Sequence, residues 1–200
     1  WTMFGDFSMQ ALYADGTSGQ KMIDKLEERT SFIRFKLTIN CRNTKSICKE
    51  IETITGFDAS NGLWTNVDGP PVQYITWSSM EDQSKKLGAL LRQLEEAHIS
   101  PDKITILSPK RRDDSVVSIL EGYKITDFKV PCTTDTTFCT IQAYKGLENT
   151  VIILTDIEGL SSDKLMYVGL SRARSGLFIL ESDAAKREYD NLLIRRLLHG

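Results

Sequence analysis

Two short segments in the second half of the chain carry side chains suited to binding a polyanion. Residues 140–148 read Thr-Ile-Gln-Ala-Tyr-Lys-Gly-Leu-Glu, which brings a hydroxyl, an amide and an ammonium group into one predicted loop. Residues 167–174 read Tyr-Val-Gly-Leu-Ser-Arg-Ala-Arg and supply two arginines. A guanidinium group stays charged, and its fixed fork of donors matches the oxygens of a phosphate. The two segments therefore predict contacts with phosphate groups.

Two further segments in the first part of the chain carry similar chemistry. Residues 37–44 read Leu-Thr-Ile-Asn-Cys-Arg-Asn-Thr and place Arg42 at a predicted helix start. Residues 4–13 read Phe-Gly-Asp-Phe-Ser-Met-Gln-Ala-Leu-Tyr and contain Gln10, whose amide can both donate and accept hydrogen bonds. Taken alone, Arg42 is better explained as a solvated arginine at a helix start, and the segment around Gln10 as a turn at a strand end.

Alternating strands and helices are expected to position these segments. Residues 33–39 alternate between apolar and polar side chains, as in a strand, and a helix is predicted from Asn43 or Thr44. A capping box of Ser78 and Glu81 predicts the start of another helix. Further strands are predicted at 72–77, 104–107, 138–141, 151–154 and 177–180, and helices at 78–98, 113–121, 165–174 and 183–198.

This alternation predicts an α/β domain with a largely parallel sheet. The run Val151–Leu154 is apolar without alternation, which is typical of a strand covered on both faces. The chain has 200 residues, enough for one sizeable core or for one domain and a fragment of another.

Composition limits the classes of function. The formal net charge of −2 indicates that any nucleic-acid contact must come from a local patch of charge. The longest strongly apolar run, Val151–Leu154, is too short to span a bilayer, and no signal peptide opens the sequence. We therefore expect no membrane partner and a cytoplasmic location.

The cysteines do not predict a metal site. No CxxC pair is present, and neither of the two histidines lies near a cysteine in sequence. The alternative of a zinc or iron–sulfur site is therefore less favoured than reduced, mostly buried thiols. The cysteines are Cys41, Cys48, Cys132 and Cys139, and the histidines are His98 and His199.

All four segments resemble motifs of UvrD/Rep/PcrA-type superfamily 1 DNA helicases. Segment 140–148 resembles the fifth motif, T-x-H-x-x-K-G-L-E, and segment 167–174 resembles the sixth, Y-V-A/G-x-T/S-R-A. Segments 37–44 and 4–13 resemble the fourth motif, L-x-x-N-Y-R-S, and the third, G-D-x-x-Q-x-I-Y. The four occur in the family's order, and the resemblance extends from Gly5 to about Leu180.

The resemblance implies a RecA-like, three-layer domain of the P-loop NTPase type. In the family two such domains bind ATP between them, and the fourth to sixth motifs belong to the second. Residues 1–30 would then be a stub from the end of the first RecA-like domain, containing the third motif. Residues 31–200 would form the second domain.

The resemblance also implies nucleotide-binding roles for particular residues. Gln10 would sense the γ-phosphate and Arg42 would reach it, while Gly146 and Glu148 would contact the nucleotide. Arg172 matches the family's arginine finger, which stabilises the transition state of hydrolysis. Gln10, Arg42 and Arg172 are accordingly the catalytic candidates.

Contacts with single-stranded DNA are implied for Thr140 and Gln142, although Gln142 replaces the family's histidine. Lys110 occupies the position of a DNA-contacting turn, but Asp113-Asp114 balance its basic neighbours, so a solvated loop stays open as an alternative. Cys41 replaces the tyrosine that stacks on adenine in the family. Base recognition would therefore be weaker here or be provided elsewhere.

The sequence contains no phosphate loop of the form G-x-x-x-x-G-K-S/T. We therefore expect ATP and Mg²⁺ to bind only in a complete two-domain protein, whose first RecA-like domain lies in the same polypeptide. The chain begins at Trp1, as an excised fragment would, and we expect it to be inactive alone.

The expected function is the C-terminal half of an ATP-dependent DNA helicase or translocase that acts on single-stranded DNA, in a bacterial, phage or plasmid context. Two alternatives stay open. The parent could be a helicase–nuclease, or the chain could be a non-catalytic RecA-like binding module.

Overall fold

The computed structural model of this chain describes residues 24–25, 27–29, 42–57, 67–128 and 134–199. Helices and strands alternate along the larger ranges. The helices are α1 (Lys45–Thr55), α2 (Met80–Glu96), α3 (Asp163–Leu170) and α4 (Asp183–His199). The strands are β1 (Gln73–Trp77), β2 (Ile104–Ser108), β3 (Ile125–Asp127), β4 (Thr136–Thr140), β5 (Asn149–Ile157) and β6 (Ala173–Ser182).

Within the described residues the strands form one six-stranded sheet in the order β1-β6-β5-β2-β4-β3. Every neighbouring pair is parallel. All strands therefore begin at one edge of the sheet, which we call the amino edge, and end at the opposite carboxyl edge. The predicted α/β fold with a parallel sheet is confirmed.

Helices cover both faces of the sheet and create two cores. Helices α1, α3 and α4 contribute to a core on one face, and α2 packs on the other face with residues 116–117. Strand β5 serves both cores, because Ile152 and Leu154 belong to the first and Val151 and Ile153 to the second. The unalternated run 151–154 therefore predicted its environment correctly.

Helix α1 forms as its apolar spacing predicts. Ile47, Ile51 and Ile54 are all buried on the face toward the sheet. The helix ends at Gly56, which adopts the left-handed conformation with φ +68° and donates its N–H to the Glu52 carbonyl. The predicted strand at 33–39, before this helix, lies outside the described residues.

The capping box of α2 lies one residue later than the sequence predicted. Ser79 is the N-cap and its hydroxyl accepts from the Asp82 N–H at 3.2 Å. The Asp82 carboxylate in turn accepts from the Ser78 N–H at 3.0 Å. Asp82 therefore takes the place predicted for Glu81, and its carboxylate reaches the residue before the N-cap.

The predicted helix at 113–121 is wrong. Two 3₁₀ turns, Arg112–Asp114 and Val116–Ile119, occupy this range. The break falls at Ser115, whose hydroxyl donates to the buried Asp156 carboxylate at 2.6 Å, while the next N–H donates to the same carboxylate at 3.1 Å. In a continuous α-helix the Val116 N–H would donate to a backbone carbonyl of the preceding turn. Here it donates to the Asp156 carboxylate instead, so the helix does not continue.

The predicted helix at 165–174 is also partly wrong, because α3 spans Asp163–Leu170 and residues 173–174 begin β6. Ser171 caps the helix, with its hydroxyl donating to the Val168 carbonyl at 3.2 Å. Ala173 then pairs with Asn149 in the parallel ladder. Strand β3 had no counterpart among the predicted elements, and its three residues are too short for a recognisable alternation.

None of the helices among the described residues is both long enough and apolar enough to cross a bilayer.

One carboxyl group in the fold is buried without full compensation. Glu181, near the end of β6, is 2 % exposed, and its Oε2 has no hydrogen-bond partner among the described residues. Burial raises the pKa of Glu181 from the ordinary value of 4.5 to about 7. Lys186 acts in the opposite direction, while Asp190 and Glu50 raise the pKa further. The folded protein therefore favours the protonated form of this side chain.

This pKa predicts a pH-dependent loss of stability. Between about pH 4.5 and pH 7 the unfolded chain has released the Glu181 proton while the folded chain still holds it, so the free energy of unfolding falls as the pH rises. The Glu181→Gln variant should lack this fall and gain up to about 3 kcal/mol relative to wild type above pH 7. Urea unfolding at several pH values measures the difference.

The exposed Glu95 of α2 provides a matched control for this measurement. Glu95→Gln should leave the wild-type pH profile in place, to within about 0.5 kcal/mol. Parallel wild-type and Glu181→Gln profiles would contradict the assignment.

Candidate functional site

Three arginines and one glutamate meet at the amino edge of β5 and β6. Arg42 precedes α1, and its Nε lies 2.6 Å from Oε2 of Glu148. Arg174, the second residue of β6, has its Nε 3.8 Å from the other carboxylate oxygen. Arg172 lies directly before β6, and the charge of Arg42 contributes to lowering its pKa. We call these four side chains the arginine cluster.

Backbone anchors explain why these distant segments meet. Asn43, next to Arg42, is 3 % exposed, and its amide donates to the carbonyls of Ser171 (3.2 Å) and Ala173 (2.6 Å). The Asn149 N–H, next to Glu148, donates to the Arg172 carbonyl at 3.1 Å. The start of α1, the start of β5 and the start of β6 are therefore joined around the cluster.

Arg172 is entirely buried, with an exposed fraction of 0 %. Its Nε donates to the Val168 carbonyl at 2.9 Å, Nη1 to the Leu147 carbonyl at 3.1 Å and Nη2 to the Ser171 hydroxyl at 2.8 Å. Burial lowers the pKa of Arg172, and nearby Arg42 lowers it further. Charge-assisted bonds to backbone and hydroxyl oxygens make this burial tolerable.

Residues 141–148 connect the two edges of the sheet. The segment leaves β4 at the carboxyl edge and reaches β5 at the amino edge, and the nine-residue β5 implies a separation of roughly 25 Å between the edges. Tyr144 anchors the segment with a 1 % exposed ring that packs edge-on against Phe128. Gly146 turns the chain with φ +88°.

A second group of predicted contact residues lies at the carboxyl edge. Thr140 ends β4, and its hydroxyl accepts from the Ala143 N–H at 3.3 Å. Gln142 follows as an exposed side chain. Lys110 follows the neighbouring strand β2, and its Nζ lies 2.6 Å from Oε1 of Glu158. The hydrogen bond to Glu158 raises the pKa of Lys110.

Most of the predicted site residues can be placed from this geometry. Arg42, Glu148 and Arg172 come together at the amino edge, with Gly146 two residues before Glu148. The predicted DNA contacts, which are Thr140, Gln142 and Lys110, lie instead at the carboxyl edge. Gln10 lies outside the described residues, as do Cys41 and Cys132.

The sequence did not identify Asp156, which organises the carboxyl edge. This aspartate is 2 % exposed and has a positive φ of 58°. Its carboxylate accepts from the hydroxyls of Ser108 (2.7 Å), Ser115 (2.6 Å) and Thr155 (3.1 Å). Gln83 of α2, with its amide oriented to satisfy both groups, donates to Oδ1 at 3.2 Å and accepts from the Asp156 N–H at 2.7 Å.

The signals for the missed residues are weak but identifiable. Asp156 is a charged residue two positions after the buried apolar run 151–154, near the carboxyl end of β5, a region that parallel sheets often use for polar groups. The sequence placed Arg174 in the predicted helix 165–174, whereas a strand start at Ala173 places it beside Glu148. Recognising Ser171 as the end of α3 would have corrected this interpretation.

Metal ligands are not gathered in the part of the chain that the structure describes. No group of three or more His, Cys, Asp or Glu side chains there could hold an ion. Cys48 is a buried free thiol and Cys139 a half-buried one, and burial raises the pKa of both.

Comparison with solved structures identifies a similar fold. The C-terminal domain of a possible DNA helicase from Lactobacillus plantarum WCFS1 superposes with a TM-score of 0.58, at 16% sequence identity. The match covers 76% of this chain and 95% of that chain. It supports the predicted RecA-like architecture. No protein-family model and no curated protein matches the sequence.

The Asp156 network predicts a large effect of one substitution. Asp156→Ala leaves two buried serine hydroxyls and the Val116 N–H without their acceptor, so the free energy of unfolding should fall by about 2–4 kcal/mol. Urea unfolding measures this change.

Asp113, exposed in the neighbouring 3₁₀ turn, is the control position. Asp113→Ala should change the free energy of unfolding by less than about 0.5 kcal/mol. Equal losses in the two variants would show that the network contributes nothing specific.

Proposed function

We propose that this chain is the second RecA-like domain of a UvrD-like, superfamily 1 helicase or translocase that moves on single-stranded DNA with ATP as its substrate. The observation that carries the proposal is the convergence of three predicted motifs at one edge. Arg42, Glu148 and Arg172 come from separate parts of the sequence, yet they form one cluster. Residues that merely flanked unrelated turns would not be expected to lie together in the fold.

The arginine cluster has the chemistry required for a nucleotide phosphate. Three guanidinium groups surround one carboxylate, so the cluster is positive within a chain whose net charge is −2. Guanidinium groups bind phosphate oxygens through short, paired hydrogen bonds. In the proposal the cluster completes a cleft whose other wall, with the phosphate loop and the Mg²⁺ ligands, belongs to the first RecA-like domain.

The carboxyl edge is proposed to hold the nucleic acid. Gln142 is exposed there, and Lys110 is partly exposed beside Glu158, with Thr140 at the end of the neighbouring strand. These groups can donate hydrogen bonds to a phosphate backbone or to bases. They are few, which suits a strand that must be released in every cycle.

In the proposal, segment 141–148 couples the nucleotide site to the DNA contacts. Its first residues lie next to the proposed DNA contacts and its last residue, Glu148, belongs to the arginine cluster. Movement of Arg42 or Glu148 on nucleotide binding would be transmitted along the segment past the buried ring of Tyr144. Grip on the strand would thereby depend on the state of the nucleotide.

The residues assigned to the first domain remain part of the proposal. Residues 1–30 would belong to the end of that domain, and Gln10 would sense the γ-phosphate from there. A helicase–nuclease parent fits the proposal equally well, since the same domain serves both.

A non-catalytic binding module is the second candidate, and one observation favours it. All three nitrogens of Arg172 are bonded to groups of the chain itself, and the side chain is 0 % exposed. A module without hydrolysis would keep such a residue for packing. ATP turnover separates this candidate from the first.

The test combines the chain with the RecA-like domain, carrying a phosphate loop, that the proposal assigns to the same polypeptide. We expect no turnover by either part alone and DNA-stimulated ATP hydrolysis by the mixture. Arg42→Ala should lower the stimulated rate at least about a hundredfold, because arginines at such clefts stabilise the transferring phosphoryl group. A coupled phosphate-release assay measures the rate.

Arg187, an exposed arginine of α4, provides the matched control, and Arg187→Ala should keep the full rate. Turnover by the isolated chain would overturn the proposal. A mixture that binds single-stranded DNA but never hydrolyses ATP would favour the binding module.

A further inference from the structure

The arginines of the cluster differ sharply in how accessible they are. Arg172 is 0 % exposed, whereas the side chains of Arg42 and Arg174 are 40% and 60% exposed. Each nitrogen of Arg172 already donates to an internal oxygen. A ligand that arrives from solvent therefore meets Arg42 and Arg174 before it could meet Arg172.

Glu148 occupies the position between the two accessible guanidinium groups. Its Oε2 lies 2.6 Å from Arg42 Nε, and its Oε1 lies 3.8 Å from Arg174 Nε. The carboxylate is itself 40% exposed. Ion pairs this accessible to water contribute at most about 1 kcal/mol, so an anion with more charge can displace the carboxylate at little cost.

The internal bonds of Arg172 give it a different task. Its Nη1 holds the Leu147 carbonyl at 3.1 Å, and its Nε holds the Val168 carbonyl at 2.9 Å. Leu147 directly precedes Glu148, so these bonds determine where the Glu148 backbone lies relative to the end of α3. Arg172 thus positions Glu148, and with it the cluster, through bonds to the neighbouring backbone.

From these observations we infer that Arg42 and Arg174 form the accessible phosphate-binding pair of this chain, with Glu148 as their exchangeable counter-ion and Arg172 as a positioning residue. The inference rests on the proposed function, because it names the ligand chemistry of the same site. The ligand is the polyphosphate of a nucleotide. A phosphate of a nucleic-acid backbone has the same chemistry, and the test separates the two sources.

Strand geometry supports the role of Arg174. Ala173 is buried and pairs with Asn149, which fixes the start of β6 against the start of β5. Arg174 is the next residue and is exposed, and it lies where the register of the ladder shifts between the Ala173–Asn149 and Gly176–Val151 pairs. The pairing of Ala173 with Asn149 brings Arg174 close to Glu148, the residue before Asn149.

The experiment titrates the isolated chain with inorganic tripolyphosphate and follows the binding by calorimetry at low salt. Arg42→Ala and Arg174→Ala should each weaken binding about tenfold, which corresponds to one lost charge-assisted contact. Glu148→Gln should tighten binding severalfold, because it removes the competing carboxylate. Arg187→Ala, an exposed arginine on α4, should leave the affinity unchanged.

Arg172→Lys tests the positioning role with a separate readout. Lysine keeps the charge but cannot make three directed bonds, so the variant should melt at a lower temperature. Its tripolyphosphate affinity should fall less than that of Arg174→Ala. A loss of affinity without a loss of thermal stability would overturn the positioning role.

Other outcomes decide the rest of the inference. If Arg42→Ala weakens binding and Arg174→Ala does not, the pair is wrong while the proposed function stands. If wild type binds no tripolyphosphate at millimolar concentration, the phosphate site itself is overturned. If a single-stranded oligo-dT competes with tripolyphosphate for these two arginines, the nucleotide assignment is overturned in favour of backbone phosphate.

Discussion

A buried guanidinium group requires hydrogen-bond acceptors for its nitrogens, and Arg172 satisfies this requirement by joining three places in the chain. Its acceptors belong to α3, to the residue after α3 and to the segment before β5. An apolar side chain could fill the same space, but it would not hold the Leu147 carbonyl. The directed bonds of one charged residue therefore decide where the arginine cluster forms, and the anchors of Asn43 complete the arrangement.

The two edges of the sheet hold their charged side chains in different ways. At the amino edge the charges are accessible and are paired with one another across exposed surface. At the carboxyl edge the central charge, Asp156, is buried and receives hydroxyl and backbone donors. An exposed charge can exchange partners, whereas a buried and fully bonded charge keeps its neighbours fixed. A domain with one exchangeable edge and one rigid edge suits a part that must respond to a ligand while retaining its shape.

The sequence predicted those features that depend on local periodicity. Burial was predicted correctly for the apolar run 151–154 and for the regularly spaced Ile47, Ile51 and Ile54. The failures at 113–121 and 165–174 have a common cause, because side chains of Ser115 and Ser171 redirect the backbone through bonds that propensity does not record. The cluster of Arg42, Glu148 and Arg172 was expected only through motif resemblance. Arg174 was missed because its placement depends on where a helix ends.

Gly146 shows how a local backbone requirement can be separated from packing. Its φ is +88°, and a Cβ added there would meet no atom within 4 Å. The constraint is therefore one of handedness and not of space. A semisynthetic chain with D-alanine at this position would favour the same left-handed backbone, and its methyl group would stabilise the fold by restricting the unfolded conformations of the segment. Mirror-image chemistry thus offers a way to strengthen the connection between the two edges without altering any other side chain of the segment.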